Sequence, residues 1–384
     1  MSTDTIYLDH AAATPVDERV IKVMLPYFNK SFFNPSSPYM PALNVRREYE
    51  AAKDTLARCI GAKADELVMT AGATESINLA FNGIGGHVVT AKSEHHAVLA
   101  AASGHEHTFI EVDERAIVSS EAIVQAIQPD TRLVSVALAN NELGTIQSLR
   151  DIATVIERER FLRLEAGNHT PLYLHSDASQ GAGQLDIHVA RLGVDLLTLN
   201  AGKVYGPKQV GLLWVARSVR LSPQILGGGQ ERGLRSGTEN VAGVIGFATA
   251  LSLAEKHRKS EANRLKQLRD GLQRRLLQAF PDAVVSGYQK HRLSSHLHIS
   301  FPRIDAERVV FGLEARGVLV ATGSACAANK GTRSHVLEAI GLDPALADGS
   351  LRLTLGQLSN EDNIAKAGDI IVDILQAEYA RIKG

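Results

Sequence analysis

Between about residue 66 and residue 215, short apolar runs alternate with helical stretches, and this alternation limits the chain to a small set of folds. Candidate strands are Glu66–Thr70, His87–Ala91, Leu133–Ala137, Leu172–His175, Leu196–Leu199 and Gly211–Val215. Several are almost continuously apolar, as strands covered on both faces must be. Helical patterns lie between them, as in Glu75–Asn82, Ser119–Ala126 and Leu149–Arg160. Strand and helix in alternation build a mostly parallel sheet with helices on both sides. The texture changes at Gly227-Gly228-Gly229, which opens a polar loop reaching Asn240. A long charged helix over Val241–Phe280 follows, stopped by Pro281 and Asp282. That helix reads as a bridge to a smaller C-terminal α/β unit. The expected division is a large domain over 15–255 and a small one made of 1–14 with 256–384.

A chain of 384 residues exceeds what one core usually serves, which agrees with two domains. The formal net charge is −1, so no global field draws in nucleic acid or an anionic membrane surface. No apolar run has the length of a membrane helix or the layout of a secretory leader, and a cytoplasmic protein is expected. The two cysteines, Cys59 and Cys326, exclude a disulfide framework and suit a reducing compartment. Cys59 falls in an amphipathic helix over Val45–Ile60 and reads as a core thiol. Cys326 stands among small and polar residues expected to form a loop, near Lys330 and Arg333 in sequence, whose charges could lower a thiol pKa. His87, His95, His96, His105 and His107 come with no metal-ligand spacing, and no metal site is expected.

Three further segments follow candidate strands. Thr70-Ala-Gly-Ala-Thr-Glu-Ser76 could be a plain capping turn. It could equally hold an anion, with small residues letting backbone N–H groups approach at a helix N-terminus. His175-Ser-Asp-Ala-Ser-Gln180 ends a strand at the edge where open sheets bind ligands. Asp177 is either a cap or a carboxylate that keeps a pyridine nitrogen protonated. Lys203, in Leu199-Asn-Ala-Gly-Lys-Val-Tyr-Gly-Pro207, is either solvated or able to form a Schiff base once its pKa is lowered. Lys208 fits the solvated role better.

Taken in order, these segments resemble the cysteine desulfurases, within the pyridoxal-phosphate-dependent class-V aminotransferase fold. The likeness runs from Tyr7-Leu-Asp-His-Ala-Ala-Ala-Thr-Pro15 and Asn34-Pro-Ser-Ser37 through Gly72–Ser76, Ser93-Glu-His95 and Asn140-Asn-Glu-Leu-Gly144. It continues through Gly228–Asn240 and Gly323-Ser-Ala-Cys326 to Ser334-His-Val-Leu337 and Leu351-Arg352. The resemblance implies removal of sulfur from L-cysteine, giving L-alanine and a persulfide on Cys326. Lys203 would carry pyridoxal 5′-phosphate, Asp177 would pair with its ring nitrogen and Gln180 with its phenolic oxygen. His95 would stack on the ring and relay protons. Ala73 and Thr74, with Asn200, would hold the phosphate, and Thr238 would reach the phosphate of a second subunit in a homodimer. Arg352 would anchor the substrate carboxylate, with Asn141 and Asn34 nearby. Residues 327–333 separate Cys326 from Ser334, as in the branch with the longer mobile loop. Transfer to a sulfur acceptor or iron–sulfur scaffold is expected, for cluster assembly or tRNA thiolation.

Two positions depart from the family pattern. Gly202 replaces the His that usually precedes the lysine, which removes one phosphate donor and leaves Asn200 to compensate. Pro38-Tyr-Met-Pro41 replaces a stretch that usually contains His. The competing readings are a selenocysteine lyase or other class-V enzyme on the same cofactor, and a scaffold that has lost catalysis.

Overall fold

The computed structural model describes residues 5–322 and 333–383. Its centre is a seven-stranded sheet in the order β2 (Leu67–Thr70), β8 (Gly211–Val215), β7 (Leu196–Asn200), β6 (Tyr173–Asp177), β5 (Thr131–Ser135), β3 (His87–Ala91) and β4 (His107–Ile110). All neighbouring pairs are parallel except those of β8, which runs against both β7 and β2. Strands such as β3, β7 and β8 are largely apolar on both faces because both are covered. Val89, Leu199 and Leu212 enter one core, while Val68, Val88 and Leu213 enter another on the opposite face. Cys59 packs, partly buried, against the first of these, and burial pushes its thiol pKa up to about 11.

A three-stranded antiparallel sheet, β12 (Ser350–Thr354), β10 (His296–Ser300) and β9 (Val284–Val285), lies beyond it. Its sequences alternate, and the alternation sorts the two faces. Leu297, Ile299, Leu351 and Leu353 join a separate core. His296, His298, Ser300, Ser350, Arg352 and Thr354 point the other way and are also buried. The helix Val241–Ala279 links the two bodies: Val241, Val244, Phe247 and Leu251 pack into the first core, and Leu265, Leu272 and Leu276 into that of the small sheet. The N-terminal residues return to this second body. Strand β1 (Ile6–Tyr7) pairs in parallel with β11 (Val318–Leu319), and Ile6 and Leu8 enter its core.

Candidate active site

The strands β2, β3, β5, β6 and β7 all end at one edge of the large sheet, and the turns that follow them build a cavity of about 280 Å³. After β2 the chain turns through Gly72 into the helix Ala73–Ile84. Gly72 has φ +146°, a conformation open to glycine, and the start of β8 presses against it. A Cβ at Gly211 would stand 2.7 Å from Gly72 Cα, so both positions need glycine to bring the helix N-terminus to the cavity. Ala73 and Thr74 line the cavity there.

Strand β6 delivers Asp177, whose Oδ1 accepts the Ser179 N–H at 2.9 Å. Beneath it, the His175 ring is bonded to Ser135 Oγ at 2.8 Å and Thr198 Oγ1 at 2.9 Å, and burial lowers its pKa to about 4. Strand β7 ends at Asn200, and a tight turn over Ala201–Lys203 follows. Lys203 Nζ donates to the carbonyl oxygens of Ala11 and Ala12, each at 2.7 Å. Burial lowers the lysine pKa, and the Arg352 cation lowers it further. Gln180 Nε2 donates to the same Ala11 carbonyl at 3.1 Å.

His95 caps the helix His96–Ala102, its Nδ1 accepting the Ala97 N–H at 3.1 Å. Nδ1 is therefore the lone-pair nitrogen, and the neutral ring carries its proton on Nε2. The ring opens to solvent through the cavity but is enclosed by protein elsewhere, and this lowers its pKa.

Of the residues expected at the site, Ala73, Thr74, His95, Asn141, Asp177, Gln180, Asn200, Lys203 and Arg352 line this one cavity. Asn34 and Thr238 do not line it. Asn34 is exposed, with Oδ1 accepting the Ser36 N–H at 2.9 Å, and Thr238 is exposed on the glycine-rich loop. Cys326 lies outside the described residues. Asn200 uses Oδ1 to accept the Gly202 N–H at 3.0 Å, and a Cβ at Gly202 would meet nothing closer than 3.4 Å. Lys208, expected in solvent, is exposed but its Nζ rests on the Thr14 carbonyl.

Four further side chains join the site. Ser334 Oγ donates to the buried Glu142 carboxylate at 2.6 Å, tying Asn140–Gly144 to Ser334–Leu337. His335 Nε2 donates to the Glu94 carbonyl at 2.8 Å, and burial raises the Glu94 carboxyl pKa to about 8. All four stand in the family-like segments. Only the fold reveals their contacts, because the partners are some 200 positions apart in sequence.

These residues fit pyridoxal phosphate. Ser179 Oγ is buried at the cavity with no protein partner, and the Lys203 amine is held by carbonyl oxygens alone. A glycine-permitted helix N-terminus stands ready for the phosphate.

The model of the class-V aminotransferases matches residues 6–366. This chain belongs to the class-V aminotransferase family. It is 37% identical to a protein named cysteine desulfurase IscS from Dictyoglomus turgidum, across 97% of this chain and 94% of that one. It is 38% identical to cysteine desulfurase IscS 1 of Archaeoglobus fulgidus, across 96% and 97%. Among solved structures it resembles a NifS-like protein, with TM-score 0.88 and 30% identity over 97% of this chain and 99% of that chain. It also resembles SspA in complex with cysteine, with TM-score 0.76 and 34% identity over 91% and 99%. Within its family the chain groups with the cysteine desulfurases, which are pyridoxal-phosphate enzymes.

Proposed function

We infer that the chain withdraws sulfur from L-cysteine, leaving L-alanine, and holds the sulfur as a persulfide on Cys326 for an acceptor protein. The observation that carries this reading is the meeting of Lys203, Asp177, His95 and Arg352 around one cavity.

Lys203 would hold the cofactor covalently, Asp177 would face its ring nitrogen, Gln180 its phenolic oxygen, and Ala73, Thr74 and Asn200 its phosphate. Bound there, pyridoxal phosphate supplies an electron sink for the pair left on Cα when its proton departs. Arg352 receives the substrate carboxylate, since a planar guanidinium matches two oxygens at once. Asn141, whose carbonyl accepts from Arg352 at 3.3 Å, stands beside it, and Asn34 would approach from the loop. Freed when the substrate amine takes its place on the cofactor, Lys203 Nζ, its pKa lowered by burial, would remove the Cα proton. His95, protonated on Nε2, can move a proton at the ring face. The Cys326 thiolate attacks the substrate sulfur; an S–S bond forms as the C–S bond breaks, and its electron pair leaves with carbon. That carbon takes up a proton and departs as L-alanine.

We place these parts on a large domain over 15–255 and a small domain of 1–14 with 256–384. Among the described residues no helix is long and apolar enough to cross a membrane, and we read the enzyme as a cytoplasmic homodimer. Large apolar side chains left exposed, Leu226 at 78% and Phe28 at 66%, support a covered surface.

The test is mass spectrometry of the holoenzyme after brief exposure to L-cysteine. One added sulfur atom on the Cys326 peptide, absent in Cys326→Ala, is expected. Alanine formed at the wild-type rate by Cys326→Ala would overturn the reading.

A further inference from the structure

The arginine assigned to the substrate carboxylate is already paired within the protein. Arg352 Nη2 donates to Asp9 Oδ1 at 2.7 Å, with only 3% of the arginine side chain and 18% of the aspartate side chain exposed. Nη1 donates to the Asn141 carbonyl at 3.3 Å, and Nε has no protein partner.

Asp9 cannot easily swing away. The chain on either side of it is fastened to β12, the strand that carries Arg352. Leu8 O accepts the Thr354 N–H at 2.8 Å, the His10 N–H goes to Thr354 O at 3.2 Å, and the Ala11 N–H goes to Thr354 Oγ1 at 2.9 Å. Tyr7 OH donates to the Asp9 carbonyl at 2.9 Å. The next residues turn the Ala11 and Ala12 carbonyls onto Lys203. Residues 8–12 thus form a strap between the lysine and the arginine.

A guanidinium has five N–H donors. Nη1 and Nη2 each use one on the protein and each keep one. A substrate carboxylate taking the remaining pair shares the cation with Asp9, at roughly 5–6 Å from it, close enough for the two anions to repel in a partly enclosed site. Substrate and product carry the same α-carboxylate. Holding it tightly cannot favour the reaction's transition state over its ground states, but it does slow departure of the product.

We propose that Asp9 is a built-in competitor for Arg352, which weakens the hold on any amino-acid carboxylate so that L-alanine leaves after each turnover. The proposal rests on Arg352 being the carboxylate anchor.

The experiment titrates holoenzyme with L-alanine and with L-alaninamide, which lacks the carboxylate, by calorimetry. Wild type, Asp9→Asn and Arg352→Gln are compared. Asn keeps the oxygen that faces Nη2 and removes only the charge. Asp9→Asn is expected to bind L-alanine about tenfold tighter, the scale of one like-charge repulsion relieved in an intermediate dielectric. Alaninamide binding should not change. KM for L-cysteine should fall in parallel. Unchanged or weaker L-alanine binding in Asp9→Asn would mean that Asp9 orients the arginine and does not compete, and would overturn the proposal. Asp9→Ser, also uncharged, must shift in the same direction, which guards against a folding artefact in one variant. Arg352→Gln tests the underlying assignment: if it binds L-alanine as wild type does, the anchor reading itself has failed. Loss of the preference for L-alanine over alaninamide in that variant keeps the assignment and leaves Asp9 to be decided alone.

Discussion

Glu94 sits one residue before His95 with its carboxyl buried. One oxygen accepts the Ala137 N–H at 2.7 Å and the other has no partner. Burial is the main cause of its raised pKa, and the Asp177 charge adds to it. A carboxyl of this kind contributes its full stability only below the ordinary carboxylate range. The contribution is lost as pH climbs through the folded-state value of about 8. Glu94→Gln keeps an oxygen for Ala137 and has no charge to bury. Its stability relative to wild type should therefore improve by roughly 2–3 kcal/mol between about pH 6 and pH 9. Denaturant midpoints measured across that range check it, and a pH-independent gap would show that Glu94 is not the titrating group. The sequence marks Glu94 only as part of a family-like segment. Its environment comes from Ala137, just after strand β5, and from His335, and neither is close in sequence.

The glycine-rich loop from Gly227 to Asn240 is anchored at its centre by a buried anion. Glu231 accepts from Tyr49 OH at 2.6 Å, Lys53 Nζ at 3.0 Å and the Met69 N–H at 2.8 Å. Lys53 and Glu231 side chains are only 7% and 5% exposed. Backbone angles of φ +47° at Glu231 and +60° at Arg232 are unusual without glycine and persist because these contacts fix them. Glu231→Ala strands a buried ammonium and an orphaned phenol. It should cost about 3–5 kcal/mol in denaturant unfolding, the range for breaking a buried pair by removing one partner. A shift below about 1 kcal/mol would mean that water replaces the carboxylate. None of this was legible in the loop itself, which reads as polar and glycine-rich. Strands were legible where both faces are buried: His87–Ala91 and Gly211–Val215 are as expected from the sequence. The edge strand His107–Ile110 was missed because it begins exposed and polar. The strands His296–Ser300 and Ser350–Thr354 were missed because one face of each is polar and yet buried.

On the scale of the whole molecule, nine of the expected site residues of one chain meet at one cavity, and Thr238, which the family resemblance assigns to the phosphate of a second subunit, is not among them. The loop carrying it is bound to its own large body by Glu231 and by the Arg235–Glu75 ion pair at 2.8 Å, with Glu75 also accepting the Ala71 N–H at 2.8 Å. Thr238 itself is exposed and lies away from the cavity lining of its own chain. A loop fastened this firmly cannot carry Thr238 into its own cavity without breaking those contacts, whereas a second subunit docked on the exposed apolar surface could receive it. The homodimer reading then makes a prediction that a monomer cannot meet. Lys203→Ala abolishes both sites of its own dimer, and Thr238→Ala weakens both sites of its own. In a mixed dimer, one site combines the intact lysine of one subunit with the intact threonine of the other. Coexpression with two affinity tags and tandem purification should give mixed dimers with half the wild-type activity, above half that of the Thr238→Ala dimer. They should also contain one site with wild-type cofactor affinity. If Thr238 serves its own chain, no site in the mixed dimer is whole, and its activity stays at half that of Thr238→Ala alone.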